Sequence, residues 1–93
     1  MSYTRLNKPM KYVDYDVSFS FNGGTPGSRA GIVDTSIGIT GYVPVAALLV
    51  ELYHETDVFP TIQIEGNVLR VLFHYATNTA ASGTLTFRVL YMP

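Results

Sequence analysis

The sequence contains no cysteine, and this absence removes two common ways of stabilising a small chain. Disulfides and thiolate metal sites are both excluded. A single domain of 93 residues buries only about 60–65% of the surface that its unfolded chain exposes. Because domains of this size that lack such crosslinks are commonly stabilised by partner subunits, an oligomer is favoured.

Charged residues are scarce as well. They make up 14% of the chain, against about 25% in an average globular protein, while apolar residues make up 47%. A monomer has few charges with which to cover its surface, so part of that surface is expected to be hidden by another subunit. The alternative is a neutral surface rich in Thr, Ser, Asn and Tyr.

The shortage of basic residues argues against nucleic-acid binding. The net charge is -1, and the 6 Lys and Arg residues are spread along the chain, whereas phosphate binding needs several cations together. No membrane insertion is expected, since the longest apolar run, 43–52, is shorter than the roughly 20 residues of a membrane-spanning helix. The first residues lack the apolar stretch of a signal peptide, which predicts synthesis in a cytoplasm.

The chain is predicted to consist of a short polar arm, residues 1–11, and a single β domain, residues 12–93. The arm contains the only cluster of basic residues, Arg5, Lys8 and Lys11. We interpret these three as a candidate docking segment for an acidic partner protein, although such arms are often simply solvated.

Alternation of apolar and polar residues predicts most strands of this domain. Strands separated by turns at intervals of roughly 10 residues are typical of one all-β, antiparallel β-sandwich or jelly-roll-like domain with six to eight strands. The alternating segments are 13–21, 58–64, 68–75 and 84–92.

Other segments are less regular. An irregular strand is expected over 32–39, with a bulge near Gly38. Pro44 favours a strand start or a sheet edge, because it cannot donate a ladder hydrogen bond. Residues 46–53 are rich in Ala and Leu and could form a helix, but their flanks favour a strand buried on both faces. Residues 65–67, Glu-Gly-Asn, predict a tight hairpin.

Five segments of the second half stand in a characteristic order: Gly-Tyr-Val-Pro-Val-Ala at 41–46, the hairpin at 64–68, Val-Leu-Phe at 71–73, a small-residue loop at 78–83 and a terminal strand at 84–91. This order resembles the C-terminal modules of tail-fibre and baseplate-associated proteins from phages and prophages of gut bacteria. Those modules often open with Gly-Tyr-x-Pro and end in a TxxVLY strand. The resemblance covers residues 41–93.

The resemblance implies a virion surface protein. Such modules are typically trimeric β structures at the end of a fibre, associate with other virion proteins, and in some cases bind host-cell saccharides. This chain departs from them because only a short arm, and no long repetitive shaft, precedes its first strand. A capsid decoration or head-fibre protein that docks on the shell therefore stays open as an alternative, as does a carbohydrate-binding module of a secreted bacterial protein.

Aromatic residues near predicted loops and strand ends are the candidate binding residues, because sugars stack on flat rings and tyrosine adds a hydroxyl. They are Tyr42, Tyr53 and Tyr75, together with the loop residue His54. Arg29, Glu55 and Asp57 are, like His54, plausible polar partners on loops, but the sequence does not assemble these residues into one site. Packing in the core is the alternative role for each tyrosine.

Leu72, Leu90 and Met92 are the candidate oligomer interface. They lie on the predicted outer side of the last two strands, where a fully solvated face would not need apolar residues. An oligomer is expected on this basis, and the resemblance implies that it is a homotrimer.

Little in the sequence favours catalysis. Asp14 and Asp16 lie about 7 Å apart on one strand face, a separation seen in glycosidases, but such acids are ordinary on the polar side of an amphipathic strand. His54 and His74 show no spacing typical of a metal site. We therefore expect a non-enzymatic protein without a metal or cofactor.

Overall fold

A computed structural model of the chain describes residues 9–50 and 56–93. These residues form six strands and no helix, so no segment within them has the length and apolar character of a membrane-spanning helix. The strands are β1 (Lys11–Phe21), β2 (Arg29–Ser36), β3 (Val43–Leu49), β4 (Val58–Glu65), β5 (Val68–Tyr75) and β6 (Ala81–Met92).

The strands pair into two antiparallel sheets of three. Sheet A has the order β1-β6-β3, and sheet B has the order β2-β5-β4. The β1–β6 ladder is continuous from Lys11 opposite Tyr91 to Phe21 opposite Ala81. The predicted all-β class and antiparallel pairing are confirmed, and two facing three-stranded sheets are consistent with a small β-sandwich.

The core lies between the inner faces of the sheets. Each central strand contributes alternate residues that are almost fully buried, as period two requires. The buried residues of these strands are Leu69, Val71, Phe73 and Tyr75 from β5, and Ala81, Leu85, Phe87, Val89 and Tyr91 from β6. The alternation predicted for 68–75 and 84–92 is therefore confirmed as alternating burial.

The core contains the buried hydroxyl group of Tyr91. The Tyr91 hydroxyl donates a hydrogen bond to the carbonyl of Ile37 at 2.5 Å and lies 2.6 Å from the Tyr15 hydroxyl. Burial, followed by the hydrogen bond with Tyr15, raises the pKa of Tyr91 above its usual value. The contact joins sheet A to the segment that follows β2.

The β4–β5 hairpin has the tight turn that the sequence predicts. Glu65 pairs with Val68, which leaves Gly66 and Asn67 as the turn. Gly66 has a φ of +59°, whereas no non-glycine residue described has a positive φ. A glycine at the first of two turn positions is the pattern of a type II′ hairpin.

Three local predictions are wrong. The irregularity of β2 lies between Arg29 and Gly31, and Gly38 follows the strand. A Cβ at Gly31 would lie 2.4 Å from the Phe21 ring, so a larger residue at this position would displace that ring. The terminal strand begins at Ala81, since its ladder with β1 extends through the expected loop residues.

The third error concerns the Ala- and Leu-rich segment. Its residues 46–49 belong to β3, an edge strand of sheet A, which agrees with the preference for strand over helix and with the edge position of Pro44. However, Ala46 and Leu48 are exposed, so the strand is not buried on both faces. Residues 51–53 lie outside the described residues.

Candidate functional site

The outer face of sheet B carries cross-strand rows of side chains, because paired residues of antiparallel neighbours project to the same side. The rows run from β2 through β5 to β4. In that order they are Arg29–His74–Phe59, Ile32–Leu72–Thr61 and Asp34–Arg70–Gln63.

A shallow depression lies across these rows. Its volume is about 260 Å³, just below the range of roughly 300–1,000 Å³ typical of pockets for drug-sized ligands. Ile32 and Leu72 supply an apolar surface, while Arg29, Thr61 and Gln63 are among the polar residues that line it. We call this feature the sheet B depression; its size suits a small group such as one sugar ring.

The two arginines of the depression differ in their partners. Arg70 donates to both oxygens of Asp34, at 2.9 and 3.1 Å, and lies 2.9 Å from Glu65. The hydrogen bond from Arg70 holds the pKa of Asp34 below its usual value. Arg29 forms no ion pair with any described residue. The Arg29 end of the depression therefore carries a positive charge to which no carboxylate of residues 9–50 or 56–93 is bound.

An aromatic pair borders the same end. The Phe59 and His74 rings are stacked, with centroids 5.6 Å apart and planes 14° apart. Phe59 is 45% exposed. The His74 Nδ1 atom is buried and makes no hydrogen bond within the described structure. Exposed aromatic faces beside polar groups are the usual surface on which a sugar ring stacks.

The outer face of sheet A is apolar at one end and polar at the other. At the polar end, the hydroxyl of Thr86 donates to Asp16 at 2.8 Å, and Ser18 lies 3.0 Å from Thr84. The opposite end, which we call the apolar end of sheet A, consists of Tyr12, Val43, Leu48, Leu90 and Met92.

This apolar end is well exposed to solvent: Tyr12 is 57% exposed and Val43 is 58% exposed. Arg88 forms its boundary. It donates to both oxygens of Asp14, at 2.9 and 3.1 Å, and its guanidinium lies 4.2 Å from the centre of the Tyr12 ring. The hydrogen bond from Arg88 lowers the pKa of Asp14.

The residues of the expected oligomer interface fall on opposite faces of the molecule. Leu90 and Met92 belong to the apolar end of sheet A. Leu72 lies in the sheet B depression. One continuous contact patch on the monomer therefore does not include all three residues.

The candidate binding tyrosines are also separated. Tyr42 is partly buried near the start of β1, and the ammonium group of Lys11 lies 4.8 Å from the centre of its ring. Tyr75 lies at the other end of β1, where its hydroxyl donates to the carbonyl of Asn22. Tyr53 and His54 lie outside the described residues, as do Arg5 and Lys8 of the arm.

Tyr75 is a core residue and offers no ring face to a surface ligand. Only 7% of its surface is exposed. A Cβ on Gly24 would lie 2.4 Å from the Tyr75 ring, so the ring packs directly against that loop backbone. This position favours the alternative structural role that the sequence left open.

Sequence reasoning missed Phe59, Thr61 and Gln63 as potential site residues. Their signal was present, because period two within residues 58–64 places these three on one face. What could not be seen was the register that aligns Phe59 with His74 and Arg29 across the sheet.

The described residues also locate the groups considered for catalysis and metal binding. Asp14 and Asp16 lie on the exposed face of sheet A, where Arg88 and Thr86 bind them. Within the ranges described, no group of three or more His, Asp or Glu residues is arranged to hold a metal ion. Comparison of the chain with protein-family models, curated proteins and solved structures gives no match.

Proposed function

We propose that this chain is a non-enzymatic structural protein of a bacteriophage virion, of the tail-fibre or receptor-binding tip type. It acts by forming a homotrimer and attaching to saccharides of the host surface. The observation that carries the proposal is that the outer faces of the two sheets have different surface chemistry. The apolar end of sheet A offers an assembly surface, and the sheet B depression offers a separate binding surface.

Assembly through sheet A has a physical basis in the exposure of its apolar side chains. Tyr12, Val43, Leu90 and Met92 occupy neighbouring positions on β1, β3 and β6. Removing such side chains from water contributes about 25 cal/mol per Å² of apolar area. A patch at one end of an elongated face can meet its own copies about a threefold axis, which leaves the remaining surfaces free.

Attachment through sheet B has a different basis. An exposed aromatic ring, an apolar surface and several hydrogen-bonding side chains converge on three paired strands. Sites on regular strands hold their side chains in fixed relative positions, which reduces the entropy cost of binding. A trimer would present three such sites, so weak individual affinities combine into strong attachment to a cell surface.

The molar mass in solution tests the assembly part. Light scattering at micromolar protein is expected to give about three times the chain mass of 10.2 kDa. A folded monomer at this concentration would contradict assembly. A glycan array probed with the full chain then tests attachment, and retention of no glycan would contradict it.

A capsid decoration or head-fibre protein is the second candidate. Lys11, the first residue of β1, lies against Tyr42 close to the apolar end of sheet A, so a shell could contact both together. Replacing Arg5, Lys8 and Lys11 by Gln would then abolish incorporation into particles while leaving the fold intact. A tail-fibre tip with the same changes would still bind host cells.

A further inference from the structure

We propose that the sheet B depression binds a carboxylated sugar, with its carboxylate at Arg29 and its ring face against Phe59. This inference rests on the proposed saccharide attachment and specifies the chemical class of the ligand. Uronic and sialic acids share this chemistry, since both place a carboxylate directly on a pyranose ring.

The charge distribution supplies the first argument. The guanidinium of Arg70 already has two carboxylate partners, Asp34 and Glu65. Arg29 is exposed and has no carboxylate partner among the described residues, although the chain as a whole has a net charge of -1. A ligand carboxylate can accept two parallel hydrogen bonds from a guanidinium, and such charge-assisted pairs are stronger than neutral hydrogen bonds.

The register supplies the second argument. Arg29 and Phe59 lie in one cross-strand row with His74 between them. Neighbouring strands are about 4.8 Å apart, so the two backbones are separated by about 10 Å. Both side chains project from the same face with His74 between them, so a sugar ring in contact with Phe59 would extend across His74 to bring its carboxylate to Arg29.

The polar side of the depression suits the sugar hydroxyls. The side-chain amide nitrogen of Gln63 donates a hydrogen bond to the carboxylate of Glu65 at 3.3 Å, which leaves the Gln63 amide oxygen to accept from a sugar hydroxyl. Thr61 donates to the carbonyl of Leu72 at 3.3 Å, and its oxygen retains lone pairs. Ile32 and Leu72 contribute apolar area against the carbon atoms of the ring.

Two matched pairs of probes test the role of the carboxylate. One pair is sialyllactose and lactose. The other is a glucuronic-acid tetrasaccharide and the glucose tetrasaccharide obtained by reducing its carboxyl groups. Each is titrated into the full-length ¹⁵N-labelled chain, and dissociation constants are taken from amide chemical-shift changes. At least one acidic probe is expected to bind about tenfold more tightly than its neutral partner.

Substitutions assign this preference to residues. Arg29→Gln should reduce the acidic-to-neutral ratio to below about twofold, while Arg29→Lys should retain part of it. Phe59→Ala should weaken both members of a pair by a similar factor, because stacking does not depend on the carboxylate. Amide shifts on β2, β4 and β5 should accompany binding, and urea unfolding of each variant shows that it is folded.

The inference is overturned if acidic and neutral probes bind equally, if Arg29→Gln keeps the preference, or if neither acidic probe binds at millimolar concentration. The glycan array separates this failure from that of the proposed function. Retention of neutral glycans alone leaves saccharide attachment standing without the carboxylate. Retention of no glycan removes both.

Discussion

Each of the two sheets contains an Arg–Asp ion pair of the same geometry, but the residues around the two pairs differ. In each sheet an arginine on the central strand donates to both oxygens of an aspartate on an edge strand, at 2.9 and 3.1 Å. The pairs are Arg88–Asp14 in sheet A and Arg70–Asp34 in sheet B. Each crosses between antiparallel strands on the outer face, where opposite charges in register contribute to pairing.

The neighbours decide what each face can do. In sheet A, the guanidinium of Arg88 covers the Tyr12 ring and stands beside exposed apolar residues. In sheet B, Arg70 binds a second carboxylate, Glu65, whereas Arg29 has no carboxylate partner among the residues that the structure describes. One face therefore suits contact with another apolar surface, whereas the other suits a small anionic ligand.

The inner faces should not show this difference, because both sheets share one core. Phe73 of sheet B and Phe87 of sheet A are both almost completely buried. Phe73→Ala and Phe87→Ala should each lower the free energy of unfolding by about 3–5 kcal/mol. Urea unfolding followed by far-ultraviolet circular dichroism measures the loss, and a loss below about 1 kcal/mol in either variant would contradict a shared core.

Much of this core could be predicted from sequence, and the reason is local. Alternation in β1, β5 and β6 assigns each side chain to a face without knowledge of the partner strand. The outer faces could not be predicted equally well. The separation of Leu72 from Leu90, and the alignment of Arg29 with Phe59, both depend on which strands pair and in what register.

The error for 46–49 has the same origin. An Ala- and Leu-rich strand suggests burial on both faces, but the described strands form only two sheets, and no third layer among them covers the outer side of β3. The exposed Ala46 and Leu48 follow from that missing layer.

Matched substitutions of the two outward leucines sharpen the comparison of the faces. Leu90→Asp should raise the dissociation constant of the oligomer by about a hundredfold, because it places a charge in the apolar assembly surface. Leu72→Asp should leave the molar mass unchanged. Light scattering over a dilution series measures the dissociation of both variants. If only the Leu72→Asp variant dissociates, sheet B and not sheet A is the assembly surface.

The buried Tyr91 hydroxyl predicts that the free energy of unfolding falls at alkaline pH because of a group in the core. Tyr91→Phe removes the hydrogen bonds to Ile37 and Tyr15, which should cost about 1–3 kcal/mol. The pKa of Tyr91 is raised in the fold, so its contribution is complete below the ordinary tyrosine pKa of about 10 and is lost as the pH rises beyond it.

Urea unfolding at about pH 8 and about pH 10.5 tests this dependence. The parent chain should lose more stability between the two values than Tyr91→Phe does. Equal losses would show that ionisation of Tyr91 does not contribute.

The smallest expected effects come from the two matched ion pairs, because all four side chains are partly solvated. The pKa values of Asp14 and Asp34 are lowered by their arginines, so their contributions are present at neutral pH and are lost as the pH falls below about 4. Asp14→Asn should remove more of the acid dependence of the unfolding free energy than Asp34→Asn does. After Asp34→Asn, Arg70 still pairs with Glu65, whereas Arg88 has no second carboxylate among the described residues. Unfolding midpoints between about pH 3 and 7 measure the difference. High salt should diminish it, and a larger effect of Asp34→Asn would show that Glu65 does not hold Arg70 in solution.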